Sequence, residues 1–259
     1  MQIMQLDQNS FDVSFKKESS QKSKGFQSSD FINSIIHEIK NPLNAIICFS
    51  EFLRQEVKNP KLAEECADYA MEINQAANDL SEIVEDLLDV GSISSGNFSV
   101  DLNHEINVQE LIRRVIKLNY DLSLRRKIRL KMQIADDVSI IKLDMKRMKQ
   151  ILANLVSNAV KYSQENTEIT VSAKNISKDG QKILQISVAD QGFGMTKAQV
   201  KTAFEKYQTI KNPNSGIVDS FGLGLPITKQ LVELQNGTIS VKSEERKGSE
   251  FILEFPYLK

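Results

Sequence analysis

Two long segments with helical spacing of apolar residues constrain this 259-residue chain more than any other feature. Apolar residues recur every three or four positions over residues 31–53, and again over residues 62–88. An Asn-Pro pair at 59–60 interrupts the pattern, because proline lacks the N–H that a helix interior requires. The sequence therefore predicts an antiparallel helical hairpin.

The apolar stripe of this hairpin needs a partner, because a lone hairpin cannot cover it. Two hairpins paired in a four-helix bundle would bury the stripe, which predicts a homodimer. The alternative is that the stripe packs against the rest of the same chain. Its continuity through both helices favours the dimer.

Beyond the hinge-like stretch "GSISSGN" at 91–97, shorter helical and strand-like segments alternate. The predicted helices are 108–127, 144–163 and one that begins near Gly222. The predicted strands are 128–134, 138–143, 167–177, 182–190, 237–243 and 249–256. A mixed sheet with helices on one face is a two-layer α/β sandwich. The expected organisation is a polar linker at 1–29, a hairpin domain at 30–94 and an α/β domain at 95–259.

Composition narrows the possible functions. The 33 basic and 34 acidic residues nearly cancel, so no global field favours nucleic acid or an anionic membrane. The sequence shows neither an apolar window of roughly 18 residues nor a signal-peptide pattern, so we expect a cytoplasmic protein. Cys48 and Cys66 form no CxxC motif and are expected to be buried thiols in a reducing compartment. With only two histidines, His37 and His104, a His-based zinc site is not expected.

The segment "DQGFGM" at 190–195 directly follows a predicted strand. Its paired glycines allow a close approach of the backbone to a ligand, and Asp190 could accept a hydrogen bond from an amino group such as that of adenine. Alone, such a motif more often marks a simple turn.

A second glycine pair, Gly222 and Gly224, opens a predicted helix. Backbone N–H groups at a helix N-terminus bind phosphate, although the spacing here is neither the Walker nor the Rossmann pattern. The preceding polar residues 208–220 are typical of a mobile lid.

The helical stretch "NLVSNAVKY" places Asn154 and Asn158 on one face, with Lys161 nearby. Amide oxygens suit a partly hydrated Mg²⁺, and lysine can meet a phosphate. Each residue taken singly is more simply explained as part of a solvated helix face.

Together, the three motifs resemble, in order and spacing, the N, G1 and G2 boxes of the ATP-binding domain of sensor histidine kinases. "AFEKY" at 203–207 is similar to the F box, and "KGSEFILEFP" at 247–256 to the G3 strand. "HEIKNPLNAI" at 37–46 resembles the H box of the dimerisation and phosphotransfer domain. The resemblance runs from about residue 26 to the C-terminus. "FSEFL", "YAMEI" and "LGLPITK" look closest to alphaproteobacterial cell-cycle kinases.

The resemblance implies a fold like that of the gyrase, Hsp90 and MutL ATPases, with ATP and Mg²⁺ as cofactors and a response regulator as partner. It implies an ATP site formed by Asn154, Asn158, Lys161, Tyr162, Asp190, Gly192, Gly194, Gly222, Leu223, Gly224 and Leu225, with Asn158 binding Mg²⁺. His37 would be the phosphoacceptor, with Glu38 as its base. Asn41, one turn beyond, would orient a water or the aspartyl phosphate of the regulator, which adds an expected phosphatase activity.

Two positions depart from the family pattern. Phe221 stands where a Thr or Ser hydroxyl is usual in the G2 box, which leaves open a degenerate kinase that holds ATP only to set its conformation. Asn154 replaces the water-activating glutamate of the gyrase-like ATPases, so direct ATP hydrolysis should be poor.

Overall fold

The structure, a computed structural model, describes residues 25–56, 63–96, 98–138, 140–205 and 222–257. The predicted hairpin is present as α1 (Gly25–Glu56) and α2 (Ala63–Ser94), with Pro42 inside α1. Most of the predicted linker at 1–29 and the Asn-Pro pair at 59–60 lie outside the described residues. Helix α1 already begins within the stretch that the sequence assigned to the linker.

Three aromatic rings pack between the two helices, where the C-terminal part of α1 meets the N-terminal part of α2. The ring centroid of Tyr69 lies 5.9 Å from that of Phe49 and 5.5 Å from that of Phe52. Such aromatic contacts add to the burial of apolar area and fix the register of the antiparallel pair.

Much of the apolar stripe remains exposed in the single chain. The exposed large apolar residues of the hairpin are Ile36, Leu43, Ile47, Phe52, Met71, Val84 and Leu88. The expectation that both cysteines are buried is wrong for Cys48, which is exposed, and Cys66 is only partly buried. The reason is that none of the described residues covers the side of α1 that carries Cys48.

Beyond the hairpin the chain forms the predicted α/β domain. Its helices are α3 (Val108–Leu118), α4 (Tyr120–Arg125), α5 (Met145–Tyr162), α6 (Lys197–Thr202) and α7 (Gly224–Glu233). Its strands are β1 (Glu105–Asn107), β2 (Arg129–Ile134), β3 (Ile140–Lys142), β4 (Glu168–Lys178), β5 (Gln181–Ala189), β6 (Thr238–Glu244) and β7 (Gly248–Pro256).

The main sheet is mixed, as the sequence predicted. Its strand order is β2-β4-β5-β7-β6, with β2 and β4 parallel and the other neighbours antiparallel. Strands β1 and β3 form a separate antiparallel pair, and the sequence analysis missed β1. Helices α3, α5 and α7 contribute the buried apolar residues that pack against the sheet, which makes the predicted two-layer arrangement.

The helix predicted at 108–127 is in fact two helices that meet at Asn119. The side-chain amide of this buried residue donates to the carbonyl of Val115 at 3.0 Å. An asparagine side chain that bonds the backbone of the preceding turn competes with continuation of the helix. Periodicity alone could not show this break.

The C-terminal part of α2 packs on the α/β domain. Ile83, Leu87 and Val90 lie against its buried core. Asp89 pairs with Arg147 of α5 at 3.1 Å, and both side chains are largely buried. The alternative stated for the apolar stripe therefore holds for this stretch of α2, whereas Leu88 stays 65% exposed.

Candidate functional site

The two asparagines of α5 form one end of a hydrogen-bonded series. The Asn158 amide nitrogen donates to Asn154 Oδ1 at 3.0 Å, and the Asn154 amide nitrogen donates to Thr228 Oγ1 of α7 at 2.7 Å. No described residue donates to the amide oxygen of Asn158. This oxygen is therefore available to a cation, which fits the predicted Mg²⁺ site.

Asp190 lies at the end of β5, and backbone groups hold one of its carboxylate oxygens. Oδ1 accepts hydrogen bonds from the N–H of Gly192 at 2.8 Å and from the N–H of Ser249 at 3.2 Å. Burial raises the pKa of Asp190, and these two N–H donors oppose that rise. No described residue donates to Oδ2, which leaves it available to an amino group.

The loop after Asp190 lies directly against the C-terminal end of α5. The N–H of Phe193 donates to the carbonyl of Tyr162 at 3.2 Å. A Cβ at position 192 would lie only 2.8 Å from the carbonyl carbon of Tyr162, so glycine is required there. Gly194 follows with a φ of +62°. The carboxylate and the amide-bearing helix are thereby held in a fixed relation.

The N-terminal end of α7 forms the third side of the site. Gly222 has a φ of +62°, and Leu223 is buried before the first turn, while Leu225 packs against the core. Among the described residues no side chain caps this end, and its first turn carries no acidic residue. A helix end with uncapped N–H groups favours an anion such as a phosphate.

Gly224 lets α7 approach α5 closely. A Cβ at this position would lie 2.7 Å from the Asn154 amide oxygen. Without one, the amide lies against the first turn of α7. Gly224 thus allows the two helices to pack closely, in addition to the phosphate binding that the glycine pair suggested.

Lys161 and Tyr162 occupy the last turn of α5, where Arg126 satisfies backbone carbonyls. Its Nη1 donates to the carbonyl of Lys161 at 2.7 Å and to that of Val160 at 3.2 Å. Sequence analysis missed Arg126 and Thr228. Of the two, only Thr228 could have been suspected from the sequence, because it lies one helical turn after Gly224. In the structure it is on the buried side of α7.

The structure gives the hairpin motif less detail. His37 and Glu38 lie within α1, but their side chains are outside what the structure describes. Asn41 is exposed one turn further along the helix. His104 is also exposed, with Nε2 at 3.1 Å from the carboxylate of Asp101. The predicted lid at 208–220, Phe221 and the end of "AFEKY" lie outside the described residues.

In the part of the chain that the structure describes, no helix is long and apolar enough to cross a membrane. The same residues contain no cluster of three or more His, Cys, Asp or Glu side chains that could hold a metal ion.

Fold and site together define an ATPase-like α/β domain joined to a helical hairpin. Residues 143–259 match the family described as the histidine kinase-, DNA gyrase B- and HSP90-like ATPase. Residues 27–96 match the family described as the His Kinase A (phospho-acceptor) domain. The chain therefore belongs to the sensor histidine kinases, as its motifs predicted.

Two relatives illustrate the kinship. The sensor protein GacS of Pseudomonas syringae pv. syringae is 31% identical over 224 residues, which are 86% of this chain and 24% of GacS. The cell-division control histidine kinase PdhS of Brucella ovis is 30% identical over 239 residues, covering 89% of this chain and 23% of PdhS. The predicted likeness to cell-cycle kinases agrees with the second match. The chain spans about a quarter of the length of these relatives.

Solved structures share the fold. Full-length ShkA in complex with AMPPNP has a TM-score of 0.61 at 24% identity, covering 89% of this chain and 46% of ShkA. Histidine kinase ThkA in complex with the response regulator protein TrrA has a TM-score of 0.58 at 23% identity, covering 88% of this chain and 61% of ThkA. The α/β architecture with its helical hairpin is thus confirmed.

Proposed function

We propose that this chain is the catalytic core of a sensor histidine kinase that phosphorylates itself on His37 and passes the phosphoryl group to an aspartate of a response regulator. The observation that carries this proposal is that one α/β domain contains three groups suited to bind a nucleotide and its metal ion. These are the Asn158 amide oxygen, the Asp190 carboxylate and the uncapped end of α7. The domain is joined to a hairpin whose α1 carries the histidine motif.

The proposed nucleotide is ATP. Oδ2 of Asp190 would accept from the adenine amino group, while Oδ1 is already satisfied by backbone donors. The first turn of α7 and Lys161 would meet the phosphates. Gly192 and Gly194 let the loop after Asp190 pack against the backbones of Tyr162 and Glu244, and this packing would hold the loop beside the adenine.

The proposed metal is Mg²⁺, held through the Asn158 amide oxygen together with water and phosphate oxygens. The residues fit this role because the amide nitrogen is engaged with Asn154 and no described residue donates to the oxygen. When bound, Mg²⁺ neutralises charge on the phosphates.

In the proposed reaction, a ring nitrogen of His37 attacks the γ-phosphorus of ATP, the bond to the bridging oxygen breaks and ADP leaves. Glu38 would take the proton from the other ring nitrogen, which keeps the imidazole nucleophilic. The γ-phosphoryl group then passes to a carboxylate of the regulator. Asn41 would align a water for an opposing activity, in which the water attacks the aspartyl phosphate and releases inorganic phosphate and the free carboxylate.

The proposed assembly is a homodimer through the hairpin. The exposed apolar residues of α1 and α2 support it, because a second hairpin would bury them. A response regulator is the proposed partner, and the ThkA–TrrA complex supplies a relative with such a partner.

One labelling experiment tests this function. After incubation with γ-labelled ATP, the wild-type chain should carry a label that is acid-labile and base-stable, as phosphohistidine is. His37→Gln should lose this label while it still binds ATP, and His104→Gln should keep it. ATP binding without any protein label in the wild type would instead favour the degenerate kinase. Label that persists in His37→Gln would show that another residue accepts the phosphoryl group.

A further inference from the structure

We infer that Thr228 is a positioning residue for the metal ligand, acting through Asn154. Its Oγ1 accepts from the Asn154 amide nitrogen at 2.7 Å, and Asn154 Oδ1 accepts from the Asn158 amide nitrogen at 3.0 Å. The series therefore ends with the Asn158 oxygen directed away from these contacts. This inference rests on the proposed function and extends it to how the cation site is built.

The two ends of a side-chain amide differ chemically but have nearly the same shape. A half-turn about the last side-chain bond of Asn158 would exchange its oxygen, which can bind a cation, for an NH₂ group, which cannot. Packing alone hardly distinguishes the two states. The hydrogen bond to Asn154 Oδ1 does distinguish them, because this acceptor can be met only by the NH₂ group of Asn158.

Asn154 has the same ambiguity, and only a further acceptor can settle it. If Asn154 were turned over, its NH₂ group would face Asn158, and Asn158 would have to present its oxygen inward. In the structure the hydroxyl oxygen of Thr228 accepts from the Asn154 NH₂ group, and this contact opposes the exchange. A turned-over Asn154 would break it and would require the hydroxyl to rotate and donate instead.

Burial makes the hydroxyl hard to replace. Thr228 is only 2% exposed, so bulk water does not reach its place beside Asn154. A buried amide N–H without an acceptor is costly, and Asn154 therefore has a strong reason to keep this orientation.

The series also joins two elements that serve different parts of the nucleotide. Thr228 lies on α7, whose N-terminal end is the proposed phosphate site, and both asparagines lie on α5. Because Gly224 has no side chain, the Asn154 amide fits between the two helices. Placement of α7 and orientation of the cation ligand are thus coupled through one amide.

The test uses Thr228→Val, which keeps the shape and removes the acceptor, and Thr228→Ser, which restores the hydroxyl. Ser157→Ala is the matched control. It removes a hydroxyl of α5 that donates to the Asn154 backbone carbonyl at 3.1 Å and does not join the side-chain series. For each variant, ATP binding is titrated with Mg²⁺ by calorimetry and repeated in EDTA, and the thermal unfolding midpoint is recorded.

We expect Thr228→Val to need roughly three- to tenfold more Mg²⁺ for half-maximal enhancement of ATP binding, the effect of one lost hydrogen bond. Its ATP affinity in EDTA should stay near the wild-type value, while its unfolding midpoint should fall by a few degrees because a buried amide N–H loses its acceptor. Thr228→Ser and Ser157→Ala should both titrate like the wild type.

Two results would overturn the inference alone. One is a Thr228→Val chain with an unchanged Mg²⁺ titration, and the other is an equal loss of affinity in EDTA, which would make Thr228 a packing residue. A wild-type chain whose ATP binding ignores Mg²⁺ would refute the metal part of the proposed function as well. The two failures are therefore distinguishable.

Discussion

At the scale of single residues, Asp190 is a proposed binding group whose ionised form lowers the stability of the fold. Burial raises its pKa above the ordinary value of 3.8, so the folded protein binds the proton more tightly than the unfolded chain. The stability that Asp190 contributes is therefore highest when it is protonated. It falls as the pH rises from 3.8 through the raised folded-state pKa. At neutral pH the ionised carboxylate lowers the free energy of unfolding until a donor pairs with Oδ2.

Asp190→Asn should therefore separate binding from stability. The asparagine oxygen can still accept from Gly192 and Ser249, but its NH₂ group would face the adenine amino group. ATP affinity should fall by roughly ten- to a hundredfold. The nucleotide-free variant should unfold at the wild-type temperature or above at pH 7, and any gain should shrink toward about pH 4. Unchanged binding of ATP and GTP in a calorimetric comparison would rule out the adenine contact.

Substitutions of two neighbours of His37 should affect different activities, because the proposed roles of the two residues differ. Asn41→Ala should keep much of the self-labelling yet lose most hydrolysis of the phosphorylated regulator, since an amide positions water but is no base. Glu38→Ala should do the reverse. Initial rates of self-labelling and the decay of phospho-regulator give the two readouts. An equal loss of both activities in Asn41→Ala would instead make this residue a packing element near the Pro42 position.

At the scale of elements, the contact between α2 and α5 joins the hairpin to the ATP-binding domain. Nη1 of Arg147 donates to both carboxylate oxygens of Asp89, at 3.1 and 3.2 Å, and the Gln150 amide donates to the same carboxylate at 2.7 Å. The guanidinium carbon also lies 4.3 Å from the centre of the Phe98 ring. The charge pair is thus enclosed, and removal of one partner would leave the other poorly solvated.

Asp89→Ala should lower the free energy of unfolding by roughly 1.5–3 kcal/mol, the range for a hydrogen bond to a charged group. Asp68→Ala, which alters an exposed acidic residue of the same helix, is the control and should change it by less than about 0.5 kcal/mol. Arg147→Ala and the double variant complete a cycle that isolates the pair. Equal unfolding midpoints for Asp89→Ala and the Asp68→Ala control would show that the pair adds nothing to stability.

The same scale explains which elements the sequence could not delimit. The helical period continues through Asn119, yet its buried side chain bonds the carbonyl of Val115 and the helix ends there. Strand β1 has only three residues and exists through its pairing with β3. Short elements that depend on a distant partner leave little periodicity of their own.

At the scale of the whole molecule, one part of the apolar stripe of the hairpin is packed against the α/β domain and another part is exposed. Ile83, Leu87 and Val90 pack against the ATP-binding domain of the same chain, while Leu43 and Leu88 remain exposed. Periodicity revealed that the stripe exists but could not divide it between these surfaces. That division depends on where the α/β domain docks, which is a property of the assembled chain.

The sequence by itself determined the order of the domains, the helical hairpin, the α/β sheet with its helices and the family. The hairpin and the α/β sheet follow from the local period of apolar residues, whereas the family follows from the resemblance of the ordered motifs to known ones. The tertiary structure alone decided that Thr228 meets Asn154, that Arg126 caps α5, that Asp89 pairs with Arg147 and that Cys48 is exposed. The three contacts join residues at least 34 positions apart, and burial depends on what covers a surface. No local pattern encodes such distant pairings, because they arise only when separate elements pack together.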